Sequence, residues 1–409
     1  MATTIPTGRI ATRMMGPRPA TDDSLPRLLR WDWTLLGATV ALCAFGLVAV
    51  HSARWRYYND NDPANLYYNV QHQALPMIIG ALGMLVFMAL DYRQLKAWTP
   101  RLSVGTSLML GLVLILGTDP NKSGTRAWFD LGSFTLQPAE FAKLTMVLGL
   151  AAVVSNDRDG PLSYARFVAA LVVLGLPVGL IMLQPDLGTA STFVVVAMAA
   201  LLVGRARFWH IVLISALSLV TVVALVQTQF LAPYQVARLT SFVDPTAKSI
   251  DPAWPKDKQL QEQRINGVRE QVRYAQQAVS LGGLHGQGFA NGITMNGGYV
   301  SQTHTDFIFA NVAEQFGLVG AGIILVLYLV ILLRIMRIAQ LANNAFGTII
   351  CVGGGALLAW HVFENVGMNM GIMPVTGIPL PLVSYGGSSA ISFLWLLGFV
   401  QNVYRRRAE

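Results

Sequence analysis

Thr303-His304-Thr305-Asp306-Phe307-Ile308-Phe309-Ala310 places one carboxylate where a long polar stretch gives way to an apolar run that continues through 319–333. Two readings of Asp306 follow. Thr303-x-x-Asp306 fits a capping box that opens a helix, the acid being spent on backbone N–H groups. Alternatively the acid stands between lipid and water, where ionisable groups are costly unless they serve a function. Such a position suits chemistry on a polar substrate carried by a lipid.

Working outward from this stretch, the run after Asp306 is one of many. Hydrophobic residues make up 54% of the chain and charged residues only 12%, so most helix surface has no polar face, and such helices are buried or cross a membrane. Stretches 35–50, 78–90, 102–116, 144–154, 167–183, 192–203, 211–226, 319–333, 349–363 and 391–403 repeat the pattern. With flanking residues each approaches the roughly 20 needed to span a hydrocarbon core. The expectation is an all-α integral membrane protein of ten transmembrane helices, with a large extracytoplasmic loop, 231–305, between spans seven and eight.

The formal charge of +8 is topological and implies no nucleic-acid partner. Arg27 and Arg30, Arg93, Lys96 and Arg101, Arg205 and Arg207, Arg334 and Arg337, and Arg405 to Arg407 fall at alternate connections. By the positive-inside rule these face the cytoplasm, together with both termini. The organisation is then a disordered cytoplasmic tail at 1–30, a membrane domain at 31–405 and a short cytoplasmic tail at 406–409. No cleavable signal precedes the first span. Cys43 and Cys351 lie inside apolar runs and form no disulfide framework, and the six histidines show no metal-ligand spacing. Segment 52–73 reads as a polar outer loop and 118–137 as a compact one. Within 231–305, residues 259–279 are charged enough for a surface helix, and the glycine-rich 282–298 excludes a regular one.

Four further groups can carry chemistry. Glu140 and Lys143, just after Pro138, share one helix face. They either neutralise each other or present Lys143 to an anion in a polar cavity. Asp186, in Gln184-Pro185-Asp186-Leu187-Gly188-Thr189, sits at a helix start, where capping explains it. Ser384-Tyr385-Gly386-Gly387-Ser388-Ser389 either offers N–H groups and hydroxyls to an anion or forms a re-entrant loop packed inside the bundle. Glu364, one turn after His361, reads as an interhelical contact.

Taken together, Trp128, Gln137-Pro138-Ala139-Glu140-Phe141-x-Lys143, the 184–189 motif, His304–Ala310 and Pro381-Leu-Val-Ser-Tyr-Gly-Gly-Ser-Ser389 closely resemble the SEDS family (shape, elongation, division and sporulation). Its members are ten-span peptidoglycan glycosyltransferases of the RodA and FtsW type. The motifs occur in the family's order, and segment 374–381 resembles the elongation-type RodA branch. The resemblance implies a substrate, lipid II, a disaccharide–pentapeptide on undecaprenyl pyrophosphate displayed at the outer face of the bacterial cytoplasmic membrane. It implies Asp306 as the catalytic acid/base beside His304 and Thr305, and it places Trp128, Glu140, Lys143, Asp186 and Ser384 around a central cavity. A class B penicillin-binding protein and other elongation-machinery proteins are the implied partners, in contact with membrane lipid. Two features fall outside the resemblance: a longer stretch at 248–273, and Glu364 where an apolar residue is expected.

In this reading Asp306 takes the proton from the acceptor hydroxyl as it attacks the donor's anomeric carbon, inverting that centre without a second nucleophilic carboxylate. Lys143, Arg126 and the helix start at Ser384 and Ser388 are candidates to hold the leaving pyrophosphate. No cofactor is evident, although a divalent cation (Mg or Mn) between Asp306 and pyrophosphate would fit. The competing readings are a lipid II flippase or transporter, and a scaffold that only recruits a transpeptidase.

Overall fold

The computed structural model describes residues 30–61, 65–119, 126–132, 135–155, 160–227, 231, 233–246, 248–251, 253, 255–300 and 302–407. The expected N-terminal tail, up to residue 29, lies outside the described residues, as do residues 408 and 409. The described residues form thirteen helices and one two-stranded antiparallel hairpin. In chain order these are α1 (Trp33–Asn61), α2 (Tyr68–Ala89), α3 (Tyr92–Leu116), β1 (Phe129–Asp130), β2 (Thr135–Leu136), α4 (Pro138–Val154), α5 (Tyr164–Met182), α6 (Leu187–Val203) and α7 (Phe208–Gln227). Then follow α8 (Pro233–Val243), α9 (Lys256–Gly282), α10 (Ile293–Asn296), α11 (Ile308–Leu341), α12 (Ala345–Asn369) and α13 (Gly387–Arg405).

Among the described residues six helices are long and apolar enough to cross a membrane: residues Trp33–Trp55 of α1, and α2, α3, α5, α11 and α12. Helix α6 and the first part of α7 are shorter apolar helices. Side chains such as Ile78, Leu82 and Val86 on α2 point out of the bundle. In water such a face would drive aggregation, and in lipid it is the surface the solvent requires. Helix α4 differs, being enclosed on nearly every side. Where helices meet, small residues admit close approach. A Cβ at Gly80 would lie 2.7 Å from Leu394 Cδ1, and one at Gly398 would lie 3.0 Å from the Met84 carbonyl.

Local chemistry starts the helices. Pro138 opens α4, a position where its missing N–H costs nothing. Asp91, Ser163, Asp186 and Asn344 cap α3, α5, α6 and α12 through their side chains. At the end of the bundle remote from Asp306, Asp32 forms a clasp. Its carboxylate takes Arg334 Nε at 2.9 Å and Nη2 at 2.5 Å. Its backbone exchanges two hydrogen bonds with the Gln401 amide, at 3.0 and 2.8 Å. The chain just before α1 is thus bound to both α11 and α13.

Three expectations change. The polar segment 52–73 is mostly helix, because α1 runs on to Asn61 and α2 starts at Tyr68; a helix meets its own backbone hydrogen bonds beyond the apolar zone. The stretch 231–305 holds three helices, and the expected surface helix is longer than its charged core, running from Lys256 to Gly282. Helix α11 is interrupted at Gly317 (φ 67, ψ −165). There the glycine-rich segment inserts its backbone: Leu318 N–H donates to Gly283 O at 2.9 Å, and Gly288 N–H donates to Gln315 O at 3.0 Å. A Cβ at 317 would lie 2.4 Å from Gly286 N, so only glycine fits. The buried Glu314 carboxylate accepts the N–H groups of Thr294 (2.7 Å) and Met295 (2.9 Å) at the start of α10.

Candidate active site

Asp306 does not cap α11. The helix begins at Ile308 after Phe307, with no side-chain cap, so the carboxylate is left over from the turn that carries it. That turn is held through its main chain. Asn365 and Asn369 of α12 both donate to the Asp306 carbonyl, at 3.0 and 3.1 Å. Ser384 Oγ donates to Thr305 O at 2.6 Å, and Tyr385 N–H to His304 O at 2.8 Å. Gln302 O accepts the N–H groups of Thr305 and Phe307. With the backbone fixed from three directions, the side chain is positioned without capping the helix.

Its surroundings come from distant parts of the chain. Arg238 of α8 donates from Nη1 to Thr376 O at 3.0 Å. Gly377, at φ 80, passes between Arg238 and Asp306; a Cβ on it would lie 3.2 Å from Arg238 Nη1 and 3.4 Å from Asp306 Oδ2. The 184–189 motif closes the other side. Gly188 packs on Thr376, its notional Cβ 2.9 Å from Thr376 Cβ, and Gln235 of α8 donates to Pro185 O at 2.6 Å. Asp186 is the cap the sequence suggests, accepting Thr189 N–H at 2.9 Å and Thr189 Oγ1 at 2.7 Å. Burial holds the Asp306 carboxyl above the usual carboxylate range; Arg238 and the Thr305 hydroxyl oppose this, and Asp186 adds to it. A carboxylate kept basic by desolvation beside a cation is equipped to accept a proton near neutral pH.

His304 is buried against Tyr385, their ring centroids 5.3 Å apart. Burial first, and Arg54 second, push its imidazole down to about 3, so it stays neutral in ordinary buffers.

Glu140 and Lys143 lie in a separate, fully enclosed cluster. Lys143 Nζ is 2.7 Å from Glu140 Oε1 and 3.1 Å from His361 Nε2, with its side chain 2% exposed. Ser392 donates to Glu140 Oε2 at 3.1 Å. Of the two readings of this pair, mutual neutralisation is the arrangement found, because the ammonium is surrounded by partners and faces no open hollow. The cluster reaches the Asp306 region only indirectly, His361 Nδ1 lying 3.3 Å from Pro379 O.

The 384–389 segment is likewise packed inside the bundle instead of open to an anion. Gly386 N–H donates to Gln73 Oε1 at 2.9 Å. Ser388 Oγ accepts from Gln137 N–H and donates to Thr135 O, both at 2.9 Å. Trp128 stands half-buried at the hairpin, its carbonyl accepting Thr118 N–H at 2.7 Å, and Arg126 is exposed beside it. Glu364 makes the interhelical contact expected of it, accepting from Ser191 Oγ at 3.4 Å. Among the described residues no three His, Cys, Asp or Glu side chains are grouped to hold a metal ion. The chemistry below runs through the chain's own side chains.

Sequence reasoning missed Arg238, Asn365, Asn369 and Gly377. A signal existed for the asparagines: His361, Asn365 and Asn369 recur at intervals of four along an otherwise apolar helix, marking one polar line.

Comparison with known proteins decides the lineage. Residues 33–409 match the FtsW/RodA/SpoVE family of cell cycle proteins. The chain belongs to that family. Among FtsW/RodA/SpoVE relatives, it is 35% identical to stage V sporulation protein E of Bacillus subtilis, over 91% of this chain and 97% of the relative. It is 30% identical to the peptidoglycan glycosyltransferase MrdB of Escherichia coli K12, over 92% of this chain and 95% of the relative. A similar solved structure, described as structural coordination of polymerization and crosslinking by a peptidoglycan synthase complex, superposes with a TM-score of 0.72. It shares 30% identity and covers 93% of this chain and 99% of that one. The family membership and the apolar helices together make this a multi-pass membrane protein.

Proposed function

We propose that this chain is a peptidoglycan glycosyltransferase that polymerises lipid II at the outer face of the cytoplasmic membrane, serving cell elongation and shape. One observation carries the reading: in a member of the FtsW/RodA/SpoVE family, the Asp306 carboxylate is desolvated, unused as a helix cap and flanked by Arg238. Asp306 removes the acceptor hydroxyl proton as that oxygen attacks the donor's anomeric carbon, while the pyrophosphate departs on the opposite face. Arg238 is the charged group best placed to steady the anionic donor, since Lys143 is committed to Glu140 and His361.

Helices α4, α6, α7 and α13 join the six long apolar helices to complete ten spans, with α8 to α10 outside and both termini in the cytoplasm. The alternating Arg and Lys clusters support that orientation. Asp186 and Ser384 serve as structural supports around the Asp306 turn, with Trp128, Ser388 and the enclosed Glu140–Lys143 pair framing the neighbouring bundle. A class B penicillin-binding protein is the proposed partner, supported by the likeness to the synthase complex.

Asp306→Asn, purified and reconstituted with lipid II as sole substrate, is expected to keep its fold and lose glycan synthesis. Undiminished polymer from that variant would end the assignment. Transbilayer movement of labelled lipid II without polymer from the wild type would favour a flippase instead.

A further inference from the structure

A cleft of about 280 Å³ lies beside the candidate site, between the end of α8, one face of α9 and segment 371–375. Its walls are fixed from below. Arg269, buried, donates from Nε to Asp244 O at 2.7 Å and pairs through Nη2 with Asp244 Oδ2 at 3.3 Å, stapling α9 to the end of α8. Gln276 donates to Met370 O at 3.0 Å, tying α9 to the end of α12. Ala275 and Ala278 pack with Phe307, Met368 and Val375 in a second apolar core beneath.

What remains open on this face is a mixed-charge pair over an apolar floor. Glu270 and Arg273 are exposed, stand three residues apart on the same side of α9, and line the cleft with Met373, Pro374 and Val375. The floor leads into the catalytic region: Val375 is two residues before Gly377, so the two lie within roughly 7 Å of each other along the chain. A sugar seated at Asp306 with a short peptide attached would therefore place that peptide at the mouth of the cleft.

We infer that this cleft binds the peptide borne by the substrate's sugar, with Arg273 taking a peptide carboxylate, Glu270 an amino group and the 373–375 floor the small apolar side chains. This deepens the polymerase reading and rests on it. The charge pattern selects the ligand. A lipid phosphate would gain nothing from Glu270, and an unsubstituted glycan has no charge to offer either residue. The volume is slightly below that of pockets that enclose a drug-sized molecule, which suits two or three small residues instead of a folded partner.

The test uses the intact chain, reconstituted with its cognate transpeptidase, and three lipid-linked disaccharides: peptide complete, peptide carboxylates amidated, and peptide removed. One charge-assisted contact corresponds to about a 10- to 100-fold preference. The wild type is expected to show KM at least about 10-fold lower for the complete substrate, with kcat little changed. Arg273→Gln should raise that KM to the value for the substrate with amidated peptide carboxylates, and Arg273→Lys should recover part of the difference. Equal KM for all three substrates in the wild type, or an undiminished preference in Arg273→Gln, overturns the inference. Binding of the same three lipids to Asp306→Asn, which needs no chemistry, separates the two readings. A preference there, without polymer from the wild type, sinks the polymerase reading and keeps this one. Equal binding there sinks this one alone.

Discussion

Replacing Arg238 with Gln should move the pH dependence of glycan synthesis in a direction the geometry dictates. Arg238 Nη1 and Asp306 Oδ2 both lie within 3.4 Å of one point beside Gly377. At a separation of about 6 Å and an effective dielectric of about 20, two unit charges interact by roughly 2.8 kcal/mol. Both residues keep some exposure, so solvent screening reduces this to about half. Arg238 holds the Asp306 carboxyl down against the larger upward push of burial. Removing the cation therefore raises it further, and the base is lost at a higher pH. In a reconstituted polymerisation assay run from pH 5 to pH 9, the acid limb should shift upward. The position of the limb is the readout, so a lower plateau caused by losing the Thr376 hydrogen bond does not confuse it. An acid limb at the wild-type pH would refute either the proximity of the two groups or the role of Asp306 as base.

Asp306→Asn should lower polymerisation about 10²- to 10⁴-fold with an unchanged melting temperature, read from glycan length on gels and from thermal unfolding. Breaking the enclosed Glu140–Lys143 pair by Lys143→Met alone should cost about 3–5 kcal/mol, whereas the double change Glu140→Gln with Lys143→Met should cost markedly less; unfolding midpoints in detergent check the ordering. Gly377→Ala should lose activity through its positive φ and crowding of Arg238 Nη1, with stability falling by only about 1 kcal/mol. His304, held at about 3 in the folded state, is below its unfolded value of 6.5, so the unfolded chain binds more protons between those limits. Stability should therefore fall with pH from about 6.5 toward 3, by about 2 kcal/mol at pH 5. His304→Gln should flatten that slope in melts at pH 7 and pH 5.

The transmembrane character of the chain, the surface helix α9 and the special standing of Asp306 were legible from composition and from the abrupt polar-to-apolar change at residues 303–310. Each is a local property, and local patterns report it. Capping of α6 by Asp186 was legible for the same reason. What escaped depends on contacts across hundreds of residues. Gln73 meets Gly386 over 313 positions, and the hydroxyls of the 384–389 motif look free until Gln137 and Thr135 arrive to occupy Ser388. Arg238 was overlooked because α8 lies within a long polar stretch, where one more arginine carries no signal. The break at Gly317 went unread although Glu314 and Gln315 stand just before it, because a single glycine in a helical pattern is tolerated without a break. Only the arrival of the 283–288 backbone makes the interruption favourable.

The clasp at Asp32 bears on how the molecule comes into being. Its partners Arg334 and Gln401 are synthesised some three hundred residues later, so the first segment to enter the bilayer waits, unlatched, for almost the whole of translation. A ribosome that stops short of the last helix leaves Asp32 paired with Arg334 through its carboxylate while its backbone N–H and C=O, which Gln401 would hold, go unclasped.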